Sequence, residues 1–584
     1  MNIISIKRTA LFILLAMSCV FTKAQEFNIR PVADYKMPIQ RKQERQIYQD
    51  VVKLYSQLEQ VSTISFTALQ RQLIKPALQH DIDSKFKYLE LMQIKPELIC
   101  NYVKQNHPSA LSLELPFKDT IVVIDLVEVE LFNADFRLLA DDMDKVKDVK
   151  LGHYYQGIVR GQRSFATLNV FENEVNGVFH NEAGDLRLEF GKIKSEGDQN
   201  TYALYNLSDV ISPAEINCNT EIGNMSEDLI LKHQHAIDFK DERSYNCFTN
   251  FWDVAYDLYS FYGNNAQNVT NYVTSVYNNF KLLYSNEQLG TSLNTIYIWT
   301  SQDPWVSINN STSQNLNNYS AGRTGFATNL ACLFSSYSNG GIAWLNTVCQ
   351  AGEYYRHSFC GYMGGNVPNF PSYYWDVEVA THEVGHNLGS NHTHACVWAG
   401  GQAIDNCVAT GCGGVLPAYG AGTIMSYCHQ NPNVGIGFGY GFGPQPGNLI
   451  RNISACYAGQ QCNPSGGVIT FCAPVTNLQV SYITFISANL NWTHSASYTN
   501  YYVMIKPSNA ANYVNVSGNI TGNNFMLSNL IPNTSYNARV YTNCQNGALY
   551  YSSVNFTTPN QVCNAAYDVV ANNAIAGAAV IPYN

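Results

Sequence analysis

The chain has 584 residues and a formal net charge of −10, and its 34 basic and 44 acidic residues are spread along it without a basic block. This charge pattern excludes the electrostatic footprint of a nucleic-acid-binding protein. The length exceeds what one hydrophobic core holds, so we expect several domains, and a charged content of only 13% suits a soluble protein working outside a cell.

The N-terminus has the organisation of a secretory signal peptide. Lys7 and Arg8 precede a short apolar run, and small residues lie just before Gln25, where a signal peptidase would cut. The run is too short to cross a membrane, and no later segment reaches the roughly 18 consecutive apolar residues that a spanning helix needs. We therefore expect residues 1–24 to be removed and the mature chain to be exported, without a transmembrane segment.

Residues 25–225 are predicted to form a β-rich domain. After a helical opening at roughly Glu44–Leu58, apolar and polar residues alternate in stretches such as TIVVIDLVEVELFN and ATLNVFENEVNGVFH. Alternation with period two, interrupted by turn residues, is typical of strands with one buried face. Two interpretations stay open, a self-standing β domain and a prosegment of the domain that follows.

Helices and strands alternate between residues 240 and 462, which indicates an α/β sandwich. FWDVAYDLYSFYGNNAQNVTNYVTSVYNNFKLLY is predicted as two helices broken near Gly263, while LNTIYIWTS and GGIAWLNTVC are predicted as strands. WDVEVATHEVGHNLG carries apolar residues at nearly helical spacing from Val377 to Leu388, so we expect a helix there.

The cysteines are concentrated in the same part of the chain. Cys19 would leave with the signal peptide, and 11 of the other 15 cysteines lie between Cys247 and Cys472. In an exported chain this distribution predicts a disulfide framework, whose pairing the spacing does not determine. Because 15 is odd, at least one thiol is free or has another role.

Residues 473–558 are predicted to form a small β-sandwich, since short β-type runs recur about every ten residues. The stretch resembles a fibronectin type III module, with Trp492 as its core tryptophan and Tyr536 as its corner tyrosine. Such modules usually space or bind rather than catalyse. Residues 559–584 are too few for a core and are interpreted as the start of an incomplete C-terminal region.

The segment HEVGHNLGSNH has the spacing of a catalytic metal site. Residues four apart share a helix face, so His382 and His386 can direct two imidazoles at one ion, and Glu383 lies about 100° round, within reach of a water on it. Gly389 can end the helix in a left-handed turn that brings His392 back as third ligand. Three neutral imidazoles and one open position are what catalytic zinc requires.

A rival third ligand is His394, although its position lies beyond the expected turn.

HEVGHNLGSNH followed by TIMSYC resembles the metzincin metallopeptidases, and HNLGSNHTHAC with the preceding ATNLACLFSS and GGIAWLNTVC is most similar to the adamalysin/reprolysin branch. The resemblance implies an upper α/β subdomain and a smaller lower one, with Met425 packing beneath the zinc as the Met-turn residue. It also implies that a peptide substrate adds itself as a strand near Gly340–Trp344.

Two residues depart from the reprolysin pattern. Thr393 stands where an acidic residue is common after the third histidine, and Tyr427 stands two residues after Met425, as in the astacin and serralysin branches. For Tyr427 a core tyrosine and a mobile fifth ligand or oxyanion helper both remain open. Calcium is common in related enzymes, but the sequence contains no ligand cluster specific to it.

The fold class expected overall is multidomain, with a β-rich prosegment, an α/β metzincin catalytic domain and an all-β fibronectin-like sandwich. We expect a secreted zinc endopeptidase that uses Glu383 as general base on protein substrates. Its latency would come from a cysteine switch at Cys218, with Cys100 as runner-up and a disulfide as the alternative role of either. The other function classes are an exported adhesin with a vestigial zinc site and a non-proteolytic zinc hydrolase. Attachment to the cell surface would need a further C-terminal region.

Overall fold

The structure is a computed structural model. It describes residues 25–32, 45–56, 58, 60–70, 74–194, 200–211, 227–235, 246–338, 340–348, 352–364, 369–409, 411–457, 475–493, 501–510, 513–518, 520–543 and 549–561. The predicted signal peptide, Cys218 and nearly all of the predicted C-terminal region lie outside these ranges. The chain divides into two compact units, residues 1–467 and 468–584.

The N-terminal part of the first unit is a ten-stranded, mostly antiparallel sheet in the order β1-β2-β4-β5-β7-β8-β9-β10-β11-β3. Three helices lie between its first strands. The strands are β1 Gln25–Pro31, β2 Gln60–Phe66, β3 Glu90–Gln93, β4 Ala110–Phe117, β5 Thr120–Glu128, β7 His153–Val159, β8 Ser164–Val170, β9 Val175–Asn181, β10 Arg187–Lys192 and β11 Thr201–Asn206, and the helices are α1 Gln46–Tyr55, α2 Pro76–Lys85 and α3 Pro96–Asn106.

The middle of the chain is a mixed α/β layer built on a six-stranded sheet in the order β15-β16-β14-β12-β13-β6. Neighbouring strands are parallel except for the outermost strand, β15, which is antiparallel to β16. The strands are β6 Phe132–Ala140, β12 Asn246–Val254, β13 Leu289–Ile298, β14 Leu330–Phe334, β15 Gly341–Ala343 and β16 His357–Cys360, and the helices are α4 Glu227–Gln234, α5 Tyr256–Phe261, α6 Ala266–Asn286, α7 Thr312–Gly322, α8 Tyr374–Asn387 and α9 Pro444–Ile453.

One element prediction is wrong in this region, and the strand predicted over GGIAWLNTVC is confirmed only at Gly341–Ala343. Phe251–Val254 was predicted to begin a helix but completes strand β12, in which every residue is buried. A parallel strand covered on both faces shows an unbroken apolar run rather than alternation, so periodicity cannot distinguish it from a buried helix. The break near Gly263 is confirmed, because α5 ends at Phe261 and α6 begins at Ala266.

Strand β6 joins the two parts of the first unit. It lies within residues 25–225, yet it pairs in parallel with β13 and extends the sheet of the following segment, with Leu138 opposite Ile296. In the N-terminal sheet, side chains pointing to one face pack among the N-terminal helices and strands. Those pointing to the other face, such as Phe165, share a core with Trp252 and other residues of the middle segment.

Helix α6 packs on this shared core and also forms hydrogen bonds with the N-terminal sheet. Asn278 donates from Nδ2 to the carbonyl of Tyr155 at 3.2 Å and to Oδ1 of Asn169 at 2.8 Å, and Gln156 donates back to Asn278 Oδ1 at 3.0 Å. Buried amides bonded in this way hold the helix in one register on the sheet. The segments on either side of residue 225 therefore share one core and one sheet.

The second unit is a β-sandwich of a three-stranded and a four-stranded sheet. Its core contains Trp492 and Tyr536, and the backbone N–H of Ile531 donates to the Tyr536 hydroxyl oxygen at 2.9 Å, which holds the corner. The strands are β17 Thr476–Ser481, β18 Ala488–Thr493, β19 Tyr501–Pro507, β20 Val514–Asn515, β21 Asn524–Leu527, β22 Ser535–Asn543 and β23 Leu549–Thr557.

The expected fold class is confirmed in its coarse form: a strand-rich N-terminal region, a mixed α/β middle and an all-β C-terminal domain. Among the described helices, none combines the length and the apolar character needed to cross a membrane.

Candidate metal centre

Helix α8 ends as the sequence predicts. The N–H of Gly389 donates to the carbonyl of His386 at 2.8 Å, and the N–H of Ser390 donates to that of Gly385 at 3.0 Å. This pair of bonds is the Schellman motif, which needs a left-handed residue, and Gly389 supplies it with φ +91°. The chain leaves the helix axis at once, so the residues that follow can return towards the last helical turn.

Three imidazoles converge beside this turn. The Nε2 atom of His386 lies 3.0 Å from Nε2 of His382 and 3.1 Å from Nε2 of His392, and all three rings are buried. Two nitrogens bound to one tetrahedral zinc at about 2.0–2.1 Å lie about 3.3 Å apart, so the three side chains are already close to ligand geometry.

The hydrogen bonds of these rings decide which nitrogens carry protons. Nδ1 of His382 faces the carbonyl of Ile424 at 2.7 Å, and Nδ1 of His386 faces the carbonyl of Ser390 at 2.7 Å. A carbonyl can only accept, so both Nδ1 atoms carry hydrogen, and in the neutral imidazole the Nε2 atom keeps a free lone pair. Two bare lone pairs 3.0 Å apart repel each other unless a cation lies between them, and the donor set therefore fits a divalent metal.

Burial keeps the imidazoles of His386 and His392 neutral. It lowers the pKa of His386 and His392 well below the ordinary value of histidine, and the neighbouring imidazoles lower both further. A metal binds imidazole only in its neutral form, so these two ligands do not have to release protons at ordinary pH.

His394 lies beside the triad instead of within it. Its ring stacks on that of His392, with centroids 5.0 Å apart and an interplanar angle of 9°. The group of ligand atoms that lie close together consists of His382, His386 and His392. Between the two candidates for the third position, the structure brings His392 to the pair.

Among the described residues, one other group brings three possible ligand atoms together, namely Asp405, Cys407 and Cys428. Those two cysteines are joined in a disulfide, so neither offers a thiolate. Within the described ranges, the structure therefore gives no group of carboxylates that would identify a calcium site.

Met425 lies directly beneath α8. It is completely buried, and a Cβ added to Gly385 would lie 2.5 Å from its sulfur, so the glycine is what permits this close approach. The carbonyl of Met425 accepts the N–H of Thr393 at 2.9 Å, and the preceding carbonyl holds His382. The turn thus fixes backbone and side chain on both sides of the triad.

Two disulfides close the segment between the third histidine and this turn. They join Cys396 to Cys412 and Cys407 to Cys428. Such bonds restrict the unfolded chain and keep an irregular loop from opening. The prediction of disulfides is therefore confirmed, and the structure gives the pairing of these four cysteines. Cys332 and Cys360, which lie in the same part of the chain, are not disulfide-bonded.

The runner-up for the cysteine switch is not brought to the triad. Cys100 is a free thiol on α3 and packs inside the N-terminal core with Ile99 and Val103, a cluster that contains none of the three histidines. Helical spacing directs it inwards, away from any cleft. The preferred candidate, Cys218, lies outside the described residues.

Glu383 is buried against the outermost strand of the sheet. A Cβ added to Gly341, at the start of β15, would overlap its Oε1 atom and would lie 2.6 Å from Val379. The Asn387 side chain ties the end of this strand to the helix, since its amide donates to the carbonyl of Trp344 at 2.9 Å. The general-base candidate and the strand edge are therefore neighbours, as the resemblance to metzincins implies.

Tyr427 lies next to the histidines. Its ring centroid is 4.5 Å from that of His392, 4.6 Å from that of His394 and 6.3 Å from that of His382. The structure therefore brings this tyrosine to the triad, where it packs against the third imidazole.

Two further residues support this site and were not predicted from the sequence. Trp398 donates from Nε1 to the carbonyl of His392 at 2.8 Å, and Asn387 anchors the loop after β15. Asn387 follows the second histidine directly, so its position next to the motif could have identified it. No spacing signal identifies Trp398, because it is fixed by a loop of irregular path.

Comparison with known proteins agrees with the geometry. Residues 249–435 match the family model of metallo-peptidase family M12, and residues 473–558 match that of the fibronectin type III domain. The three imidazoles, Glu383 and Met425 all lie within the first match, which begins after α4.

The solved structures named below each cover a short stretch of the chain. No curated protein matches the chain. Solved structures with similarity include a computationally redesigned β-sandwich protein (28% identity, 15% of this chain and 98% of that chain, TM-score 0.14) and domains from titin (28% identity, 15% and 32%, TM-score 0.14). A fibronectin type III domain of human collagen XX is a third (20% identity, 16% and 99%, TM-score 0.14).

Proposed function

We propose that this chain, which combines a domain of metallo-peptidase family M12 with a fibronectin type III domain, is a secreted zinc-dependent endopeptidase. The observation that carries the proposal is the convergence of three buried Nε2 atoms next to a buried carboxylate, on a helix that ends in a left-handed glycine. His382, His386 and His392 would hold the metal. Zinc is the metal that such a set of neutral imidazoles prefers when one position is left open.

The chemistry is hydrolysis of a peptide bond. When bound, zinc would lower the pKa of a coordinated water towards neutrality and polarise the substrate carbonyl. Glu383 accepts the proton of the attacking water on its carboxylate and delivers it to the nitrogen of the leaving amine. Its complete burial supports this role, because a carboxylate surrounded by protein is held at one position relative to the ligands.

Tyr427 is proposed to help at the carbonyl oxygen of the scissile bond. Its ring lies 4.5 Å from that of His392. A hydrogen bond from the Tyr427 hydroxyl to that oxygen would stabilise the negative charge that develops there as the water attacks. The same contact is also compatible with plain packing, and the two roles differ in their kinetic consequences.

The substrate class follows from the edge strand. Strand β15 is the outermost strand of its sheet and begins at the contact with Glu383. An extended peptide can pair with such an edge as one further strand, which would place a peptide bond next to the carboxylate. We therefore infer that protein segments in extended conformation are the substrates.

Secretion is supported by disulfide bonds, because these form and persist in an oxidising compartment. The two disulfides flank the metal site, and the N-terminal residues have the pattern of a signal peptide. Restraint of the enzyme before export by Cys218 remains part of the proposal. An adhesin with a vestigial site is not favoured, because all three imidazoles and Glu383 are retained.

The decisive experiment compares the wild-type protein with Glu383→Gln. We expect the variant to keep stoichiometric zinc, measured by inductively coupled plasma mass spectrometry, and to lose at least about 10³-fold in casein cleavage. o-Phenanthroline should abolish wild-type cleavage, and added zinc should restore it. Undiminished cleavage by a zinc-loaded Glu383→Gln protein would contradict the mechanism, and a wild-type protein that binds casein without cleaving it would favour the adhesin.

A further inference from the structure

The backbone that carries the third ligand is held from both sides. The N–H of Asn391 donates to Nε2 of His233 at 3.0 Å, and the indole N–H of Trp398 donates to the carbonyl of His392 at 2.8 Å. These two bonds bracket the Asn391–His392 dipeptide. The orientation of the third imidazole depends on this backbone, because no helix supports it there.

His233 is set up as an acceptor by its own helix. Its Nδ1 lies 2.8 Å from the carbonyl of Leu229, one turn earlier in α4, and its ring is completely buried. Because the carbonyl can only accept, Nδ1 carries the hydrogen and Nε2 keeps its lone pair for Asn391. Helix α4 itself therefore fixes the tautomer of His233 that accepts from Asn391.

The two bracketing side chains also pack on each other. The His233 and Trp398 rings lie 4.7 Å apart at an interplanar angle of 60°, and Trp398 packs against Leu449 of α9. Helix α4 thus packs, through Trp398, next to helix α9 of the metal domain. It lies ahead of the residues that match family M12, and ranges outside the described residues separate it from both neighbours along the chain.

We propose that His233 is a positioning residue for the metal centre. Helix α4 then belongs functionally to the catalytic domain and not to the N-terminal segment. The inference rests on the proposed zinc function. Removing the acceptor releases one side of the turn, so the third imidazole is no longer held at the angle that metal binding requires. Loss of a direct hydrogen-bond partner of a ligating side chain commonly weakens metal binding by about 10–100-fold. His233 acts one residue further away, on the backbone N–H that precedes the ligand, so we take this range as the upper bound.

The test measures zinc affinity by competition with a chromogenic chelator in the full-length protein. His233→Phe removes the acceptor and keeps an aromatic ring against Trp398, and we expect zinc to bind more weakly, by at most about 10–100-fold. His233→Gln, whose amide oxygen can replace Nε2, should recover part of the loss. His235→Leu changes an exposed histidine on the same helical segment and should bind zinc like the wild type.

A second readout separates positioning from simple stabilisation. Zinc raises the Tm by an amount set by its affinity, so in His233→Phe the Tm difference between zinc-bound and metal-free protein should shrink. A merely structural role would lower both Tm values equally and leave the zinc Kd unchanged, and that result would overturn the proposal. Should the phenyl ring prevent folding, His233→Leu provides the same comparison with a smaller side chain.

The two proposals fail in different ways. A wild-type protein that binds zinc but cleaves no casein contradicts the proposed function and leaves the affinity comparison intact. Wild-type zinc affinity in His233→Phe, alongside normal cleavage, overturns only the positioning role. N-terminal sequencing of the active secreted species gives an independent result: it should begin at or before Glu227, and an active species lacking residues 227–234 would also overturn the proposal.

Discussion

The carboxylate of Glu383 lies against the backbone of Gly341, so closely that this position accommodates no side chain. The contact joins the middle of the metal-binding helix to the start of the outermost strand of the sheet. It sets the distance between the proposed general base and the edge along which a peptide would bind.

Gly341→Ala should damage catalysis without affecting metal binding. The added methyl group has to displace the Glu383 carboxylate or the strand, and a shift of about 1 Å in a reacting group costs on the order of 100-fold in rate. We expect kcat/KM for casein peptides to fall by about that factor at unchanged zinc content. Gly352→Ala is the matched control, because a Cβ there meets nothing within 4 Å and its φ is −59°. Full activity in Gly341→Ala would show that the contact has no catalytic consequence.

Gly389→Ala should release the third ligand. A Cβ at this position overlaps the Ile453 side chain, and the backbone is left-handed. Gly263→Ala shares the left-handed strain of about 1–2 kcal/mol but has open space around the new methyl group. Both variants should lose comparable stability from strain, while only Gly389→Ala should lose zinc in equilibrium dialysis. Equal zinc retention by the two variants would argue against the turn as the device that places His392.

Tyr427→Phe distinguishes an oxyanion role from packing. The phenyl ring preserves the contact with His392 and removes only the hydroxyl. If the hydroxyl stabilises developing charge, kcat should fall by about 10–100-fold while KM and zinc content stay the same. Steady-state kinetics on a fluorogenic peptide measures the effect. An unchanged kcat would assign Tyr427 to packing alone.

Asp376 should make stability depend on pH. Burial raises the pKa of this carboxyl from 3.8 to about 7, against the opposing effect of hydrogen bonds from Tyr272 and Gly364. The folded state therefore binds the proton more tightly than the unfolded state. The resulting stability is fully present below about pH 4 and is lost as pH rises through about 7.

In Asp376→Asn this dependence should disappear. Relative to the variant, the wild type should lose on the order of 2–4 kcal/mol between pH 4 and pH 8, measured as unfolding free energy at a fixed zinc concentration. Asp144→Asn, at a side chain that is 84% exposed, is the control and should follow the wild type. Parallel pH profiles for wild type and Asp376→Asn would contradict the assignment.

The N-terminal segment should remain attached after a cut between residues 212 and 226. It shares a core with the metal domain and supplies strand β6 to its sheet, so separation would expose apolar surface and an unpaired edge at β13. A protein cleaved by a protease at a site introduced between residues 212 and 226 should elute as one species in native size-exclusion chromatography. Its two chains should separate only in denaturant. Release of an N-terminal fragment in native buffer would instead favour a dissociable prosegment.

The local sequence was sufficient to predict the three candidate metal ligands and the turn between them. His382 and His386 share a face because an α-helix repeats every 3.6 residues, and Gly389 reverses the chain because only glycine adopts that conformation without strain. These are relations within eleven residues, and the backbone alone sets them. The fibronectin-like module was predictable for a similar reason, since alternation and turn spacing are local.

The relations that tertiary structure decided join distant parts of the chain. Strand β6 pairs with β13, Gly341 packs on Glu383, and His233 accepts a hydrogen bond from Asn391. The helix predicted over Phe251–Val254 was wrong because burial on both faces removes the periodicity from which it was inferred. Spacing along the sequence determined which residues could bind a metal, while folding decided what holds them in place, because packing partners are chosen by fit in three dimensions and leave no pattern in the chain.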